Sequence, residues 1–202
     1  MTLEQYLAFE ERSPIKHEYV GGEVYAMSGV TTRHNLITLN IAVHLRAAAA
    51  RRRCKIFATD VKLQAAVDRI YYPDILVAYG KAADVDLIIE RPSLIVEVTS
   101  PSTRATDRRE KLDAYQRIAS LVEYLIVDQR RRHVFAYRRR PRGAWRRDEI
   151  AGDGRVSVPV LGTRIGLDEV YEGVDLPPLV VREGEDWEEW QDYVDVTVEA
   201  PT

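Results

Sequence analysis

The sequence predicts an α/β domain of the α+β, mixed-sheet kind, with a central mixed β-sheet flanked by helices and entered through an N-terminal helix and a β-hairpin. Three observations predict it. Short β-prone runs are interleaved with helix-length amphipathic segments, the pattern of helices packed on a sheet. The run Ser93–Thr99 (SLIVEVT) is apolar on both alternating faces apart from one carboxylate, as a strand covered on both sides would be. Finally, 202 residues with 46% hydrophobic and 30% charged content are enough for a core that needs no covalent staples.

The elements follow in chain order. Thr2 and Gln5 form a capping box that opens a first helix, and Pro14 closes it off. Gly21-Gly22 separates two β-prone runs, His17–Val20 and Glu23–Met27, which is a hairpin signal because primed turns need positive φ. A two-residue turn pairs Val20 with Glu23 and Glu18 with Tyr25, and places Glu18 and Glu23 on one face. Thr32 to about Ala50 reads as a helix with Leu36, Leu39, Val43 and Ala47 as its apolar stripe. Strands are expected at Lys55–Ala58, Asp60–Ala65, Tyr71–Tyr79 and Ser93–Thr99. Asp107 and Glu110 suggest a second capping box, opening a helix to about Ser120 with Leu112, Tyr115 and Ala119 inward. Val122–Val127 and His133–Arg138 form a strong strand pair, and weaker β segments run to Gly166.

Charge divides the chain. The net charge is −3, but residues 175–202 carry −8 and residues 1–174 therefore +5. The reading is a domain over 1–174 followed by an acidic tail over 175–202, in which Trp187, Trp190 and Val194 recur at helical spacing. Nine arginines fall between Arg130 and Arg147 with no acid among them, and with Arg51–Arg53 they suit attraction to a phosphate backbone. Cys54 is the single cysteine, which excludes an intrachain disulfide and a thiolate metal cluster. The histidines lack zinc-ligand spacing. No basic-then-apolar leader and no membrane-length apolar run is present, so a cytoplasmic location is expected.

Two carboxylates interrupt strands that should be buried: Asp74, in Tyr72-Pro73-Asp74-Ile75, and Glu97, in Val96-Glu97-Val98. A buried carboxylate is costly unless it is neutralised, paired or bound to a metal. Two at adjacent strand ends suit Mg²⁺, which binds through one or two carboxylates and keeps several waters. Periodicity alone equally allows each to pair with an arginine in a purely structural sheet. Pro73 fits a strand edge or first position, which puts Asp74 near a strand entrance.

These residues carry a resemblance. Pro73-Asp74 followed by Glu97-Val98-Thr99 resembles the signature of the PD-(D/E)XK nuclease superfamily, and the chain as a whole resembles its Uma-type restriction-endonuclease family. His17–Glu23 is similar to that family's Tyr-Glu-Leu-Ile-Asp-Gly-Glu hairpin, and Glu97–Thr103 to its Glu-Val-Leu-Ser-Pro-Ser-Thr stretch. Asp107, Lys111 and Tyr115 match the following helix, and Glu123–Asp128 the family's Glu-Tyr-Trp-Leu-Val-Asp strand. Five ordered segments over residues 3 to 172 are a specific match.

The resemblance implies a restriction-endonuclease-like core and a metal-dependent DNA endonuclease using Mg²⁺, with Mn²⁺ as a substitute. Asp74 and Glu97 would hold the metal, Glu18 would be a further acidic group near the cleft, and Lys111 would replace the motif lysine, since Thr99 occupies that lysine's position. A homodimer would suit cleavage of two strands. The alternative implied by Thr99 is a nuclease-fold protein that binds nucleic acid or a protein partner without cutting. Asp60 and His34 are weaker candidates, read more economically as a turn residue and a helix-start residue.

Overall fold

The computed structural model describes residues 1–80, 88–99 and 104–177, with side chains omitted for 104–109. In chain order the elements are α1 (Leu3–Glu10), β1 (His17–Val20), β2 (Glu23–Ala26), α2 (Thr32–Arg51), β3 (Cys54–Ala58), β4 (Lys62–Ala66), β5 (Arg69–Tyr71), β6 (Ile75–Tyr79), β7 (Ile88–Ile89), β8 (Pro92–Thr99), α3 (Arg104–Arg117), β9 (Glu123–Asp128), β10 (His133–Arg139), β11 (Trp145–Ala151), β12 (Arg155–Val158), β13 (Thr163–Gly166) and α4 (Leu167–Val170). The fold is the mixed α+β architecture that the sequence predicts.

Two sheets carry it. A six-stranded sheet has the order β11-β10-β9-β8-β6-β3, and a five-stranded sheet the order β2-β1-β5-β4-β7. In the larger sheet β8 is central, parallel to β9 across the α3 crossover and antiparallel to β6. Its alternation is decisive. Leu94, Val96 and Val98 join a core with α2, β12, β13 and α4, while Ile95 joins a second core with α3, β4 and β5. Both faces are therefore covered, which is why SLIVEVT is apolar throughout.

The N-terminal unit forms as read. Thr2 Oγ1 accepts from Gln5 N, the Gln5 side chain accepts from Thr2 N, and the capping box is complete. Gly21 and Gly22 adopt φ of 59° and 96°, and the register is Val20 with Glu23 and Glu18 with Tyr25. Buried Glu10 anchors this unit. One of its carboxylate oxygens accepts from the Tyr72 hydroxyl (2.7 Å) and the His17 backbone N–H (3.0 Å), and the other meets His17 Nδ1 (3.0 Å).

Four expectations need correction. The inward stripe of α2 is His34, Ile37, Thr38, Ile41, Leu45 and Ala48, whereas Leu39 and Val43 are 54% and 63% exposed. Several adjacent apolar positions fit a 3.6-residue period in either phase, and the core selected the phase with the β-branched residues. Residues 71–79 are not one strand: Tyr72-Pro73-Asp74 is the crossing from the smaller sheet to the larger, where proline's missing N–H costs no ladder bond. Helix α3 begins at Arg104, so Asp107 lies inside it rather than at its cap, and Ile118 is buried where Ala119 was expected. The strand expected from Asp60 begins only at Lys62; Asp60 itself is the turn residue of the more economical reading, at φ 61° and paired with Lys16 (2.5 Å).

The arginine run is largely structural. Arg131 pairs with Asp128 (3.1 Å), and Arg138 bridges Glu123 (3.1 Å) and Asp148 (2.6 Å), which also receives Arg146. Arg139 donates to the Gln116, Ile118 and Leu121 carbonyls and covers the Trp145 ring, while Arg147 covers Phe135. These five side chains knit β9, β10 and β11 to one another and to the end of α3.

The register of α2 is directly testable. Ile41→Ala should cost about 2–5 kcal/mol of unfolding free energy, and Leu39→Ala, outside the core, clearly less, both read from urea denaturation. Equal losses would refute the observed face.

Candidate active site

The site forms where β6 begins and β8 ends. Ile75 pairs with Val96, so continuing that antiparallel register by one position sets Asp74 opposite Glu97. Asp74 lies just before the first residue of β6, and its Oδ2 accepts from the Val98 backbone N–H (2.7 Å), while its backbone carbonyl accepts from Thr59 N (2.9 Å). Asp74 is thus held by the neighbouring strand and the turn before β4.

Glu97 shares the strand face of Ile95 and looks toward α3. There Tyr115 donates its hydroxyl to Glu97 Oε1 at 2.9 Å. The Tyr115 ring is fully buried and sits edge-on between Tyr71 (5.5 Å) and Tyr124 (5.1 Å), so its hydroxyl has little freedom. One helical turn before it, Lys111 Nζ lies 3.5 Å from Glu97 Oε1 and 2.8 Å from Glu18 Oε1. The Lys111 ammonium also lies 5.5 Å from the centroid of the Tyr71 ring, near enough for a cation–π attraction. Glu18 comes from β1, with the Tyr72 N–H approaching the same oxygen at 3.5 Å.

The structure therefore brings together Asp74, Glu97, Glu18 and Lys111 from four elements or their edges, with side chains only 11–14% exposed. Lys111 points inward and not to solvent. Thr99, at the position where the motif expects lysine, is buried with its hydroxyl directed to the Val127 carbonyl (3.4 Å).

His34 is also part of the site, against the expectation of a helix-start role. The Thr31 hydroxyl accepts from the His34 backbone N–H and so caps α2, leaving the ring to reach Asp74 Oδ2 through Nε2 at 3.2 Å. The signal was present in the sequence: in the phase of Ile37, Thr38 and Ile41, His34 falls on the buried stripe. Burial disfavours its protonated form, but the hydrogen bond and charge of Asp74, aided by Glu97, outweigh this and raise its pKa.

Burial and surplus negative charge together set the electrostatics. Burial pushes the Glu97 carboxyl up to about 7. Lys111 opposes the rise, the charges of Asp74 and Glu18 add to it, and the Tyr115 hydrogen bond opposes it. Among the described residues neither Asp74 nor Glu97 is paired with an arginine. Among the described residues the named bonds fall on Asp74 Oδ2 and Glu97 Oε1, which would leave Asp74 Oδ1 and Glu97 Oε2 to a cation. Among the described residues no set of three or more His, Cys, Asp or Glu converges as a preformed cage. The donor set fits a hard cation that keeps much of its water on two carboxylates, as Mg²⁺ does.

A pH dependence follows. The Glu97 pKa is higher in the folded chain than the ordinary carboxylate value, so the fold retains a proton that the unfolded chain has lost. Its contribution to stability therefore falls as pH rises from about 4.5 to about 7. Glu97→Gln should gain stability relative to the parent across that window, measured by urea unfolding in EDTA. A difference that does not change with pH would contradict the assigned cause.

Similarity to known proteins accords with this geometry. Two uncharacterized proteins of Synechocystis sp. are 32% and 31% identical, over 76% and 86% of this chain and 89% and 93% of their own lengths. The fold is similar to the crystal structure of a protein from Anabaena variabilis described as a putative nuclease belonging to DUF820. Its TM-score is 0.69 at 17% identity, covering 84% of this chain and 97% of that one. The family model Uma2, described as "Putative restriction endonuclease", matches residues 3–169, and the chain belongs to that family.

Proposed function

We propose that the protein is a Mg²⁺-dependent endonuclease that hydrolyses phosphodiester bonds in DNA, with Mn²⁺ able to substitute. The observation that carries the reading is the Lys111 ammonium between Glu18 and Glu97 at the strand end that also holds Asp74. Two close carboxylates and an inward ammonium are the constellation of PD-(D/E)XK chemistry, here with the lysine on α3. The family, described as "Putative restriction endonuclease", and the structural neighbour from Anabaena variabilis, described as a "putative nuclease", support the same reading.

Asp74 and Glu97 would hold the metal, which when bound supplies a water of lowered pKa and a Lewis acid for a phosphoryl oxygen. The protein's own groups do the rest. Val98 N–H and His34 both hold Oδ2 of Asp74, which would leave Oδ1 to the metal. Tyr115 does the same for Glu97, as outer-shell partners of ligands do elsewhere. Lys111 brings positive charge to the place where negative charge develops on the phosphate, and Glu18 positions its ammonium. The basic balance of residues 1–174 favours a polyanionic substrate.

The second reading, binding without cleavage, is favoured by Thr99 at the motif lysine position. Nicking of supercoiled plasmid separates the two. The first requires Mg²⁺- or Mn²⁺-dependent nicking that EDTA abolishes. Asp74→Ala and Glu97→Ala should abolish it, Lys111→Met should slow it by about 10²–10³-fold, and Tyr115→Phe by about 10–100-fold. Tight DNA binding with no metal-dependent nicking would establish the second reading instead. Parallel assays on single- and double-stranded RNA test the substrate class.

A further inference from the structure

Helix α2 presents an apolar face to the outside that none of the described elements covers. Leu36, Leu39, Val43 and Ala47 follow one another at intervals of three and four, so they align on one side of the helix, opposite Ile37, Ile41 and Leu45. Leu36, Leu39 and Val43 are 39%, 54% and 63% exposed. The same helix is cationic: Arg33, Arg46 and Arg51 lie within it, Arg52 and Arg53 follow, and it contains no acid.

The end of the described chain passes along the border of this face. Asn40 donates to the carbonyls of Val170 (3.1 Å) and Glu172 (2.9 Å), and Arg33 to that of Asp175 (3.0 Å). Asn40 is one helical turn from both Leu36 and Val43, and Arg33 is one turn from Leu36. The described chain thus ends, at residue 177, just past this contact at the edge of the exposed stripe. Eight acids and Arg182 alone give residues 178–202 a net charge of −7, and Trp187, Trp190 and Val194 recur there at helical spacing. Ten residues, from Pro178 to Trp187, reach at most about 33–36 Å. Helix α2 is only about 30 Å long, so the tryptophans can reach any point along it.

We infer that the acidic segment 178–202 docks on α2 of its own chain, setting Trp187 and Trp190 against Leu36, Leu39 and Val43 with its carboxylates facing the helix arginines. The pairing matches apolar stripe to apolar stripe and acid to base. It also lays negative charge along the helix whose first turn carries His34.

Tryptophan emission of the full chain tests it, in a Trp145→Phe background that leaves Trp187 and Trp190 as the reporters. Phenylalanine is tolerable at 145 because the indole N–H there has no hydrogen-bond partner among the described residues. The expected result is blue-shifted emission that does not change on dilution. The double substitution Leu39→Asp with Val43→Asp should move it to the wavelength seen in urea while far-UV circular dichroism is unchanged. Both positions are exposed, so the fold should survive. Water-like emission in the parent, or emission indifferent to the double substitution, would overturn the inference. A light-scattering mass that halves in the double variant would also overturn it, because the occupant of the face would then be a second copy.

Discussion

Toward the end of one buried strand Glu97 feels the charges of both Asp74 and Glu18, and the Lys111 ammonium lies between the two glutamates. Asp74, Glu97 and Glu18 come from a strand entrance, the middle of the core sheet and an N-terminal hairpin, and each side chain is largely removed from water. Such a concentration of like charge is unfavourable. The surrounding architecture reduces that cost: the Val98 N–H and His34 on Asp74, Tyr115 and Lys111 on Glu97, and the Tyr72 N–H near Glu18. Even so, the Glu97 carboxyl stands near 7. The protein alone does not make the ionised strand end comfortable, and a divalent cation held there, as proposed, would supply the missing positive charge.

This constraint explains why the elements are arranged as they are. The smaller sheet delivers Glu18 through β1 and passes the chain to the larger sheet at Tyr72-Pro73-Asp74. The α3 crossover, required to join parallel β8 and β9, places Lys111 and Tyr115 one turn apart over Glu97. Helix α2 packs on the opposite face of the sheet and reaches Asp74 with the first residues of its buried stripe. The file of Tyr71, Tyr115, Tyr124 and Tyr137 gives the α3 side a rigid aromatic floor.

Much of this was legible in the sequence, and the failures have physical reasons. The hairpin register could be read because Gly21-Gly22 admits a two-residue turn and little else. Strand β8 was legible because one carboxylate in a continuous apolar run is conspicuous. The switch between sheets at Pro73 was hidden, since residues 71–79 are apolar on both sides of it. The face of α2 was misread because Leu36, Leu39 and Val43 satisfy the same period as the true stripe, and that error also removed His34 from the buried set. Lys111 was visible through the family resemblance alone; as a residue on a charged helix it gives no local sign of facing inward. Tyr115 was expected to be buried, but its hydrogen bond to Glu97 depends on α3 and β8 being neighbours in space.

The charge asymmetry has a similar lesson. A run of nine arginines suggests a phosphate-binding surface, yet five of them are engaged with acids, carbonyls and rings of β9, β10, β11 and the end of α3. Side-chain charge read along the chain overstates what is available to a ligand once strands pair. The proposed metal site rests on Asp74 and Glu97. A crystal soaked in Mn²⁺ and measured at the manganese edge tests it most directly: the account predicts an anomalous peak bound by Asp74 and Glu97. No peak there, with Lys111 still paired to both glutamates, would contradict it.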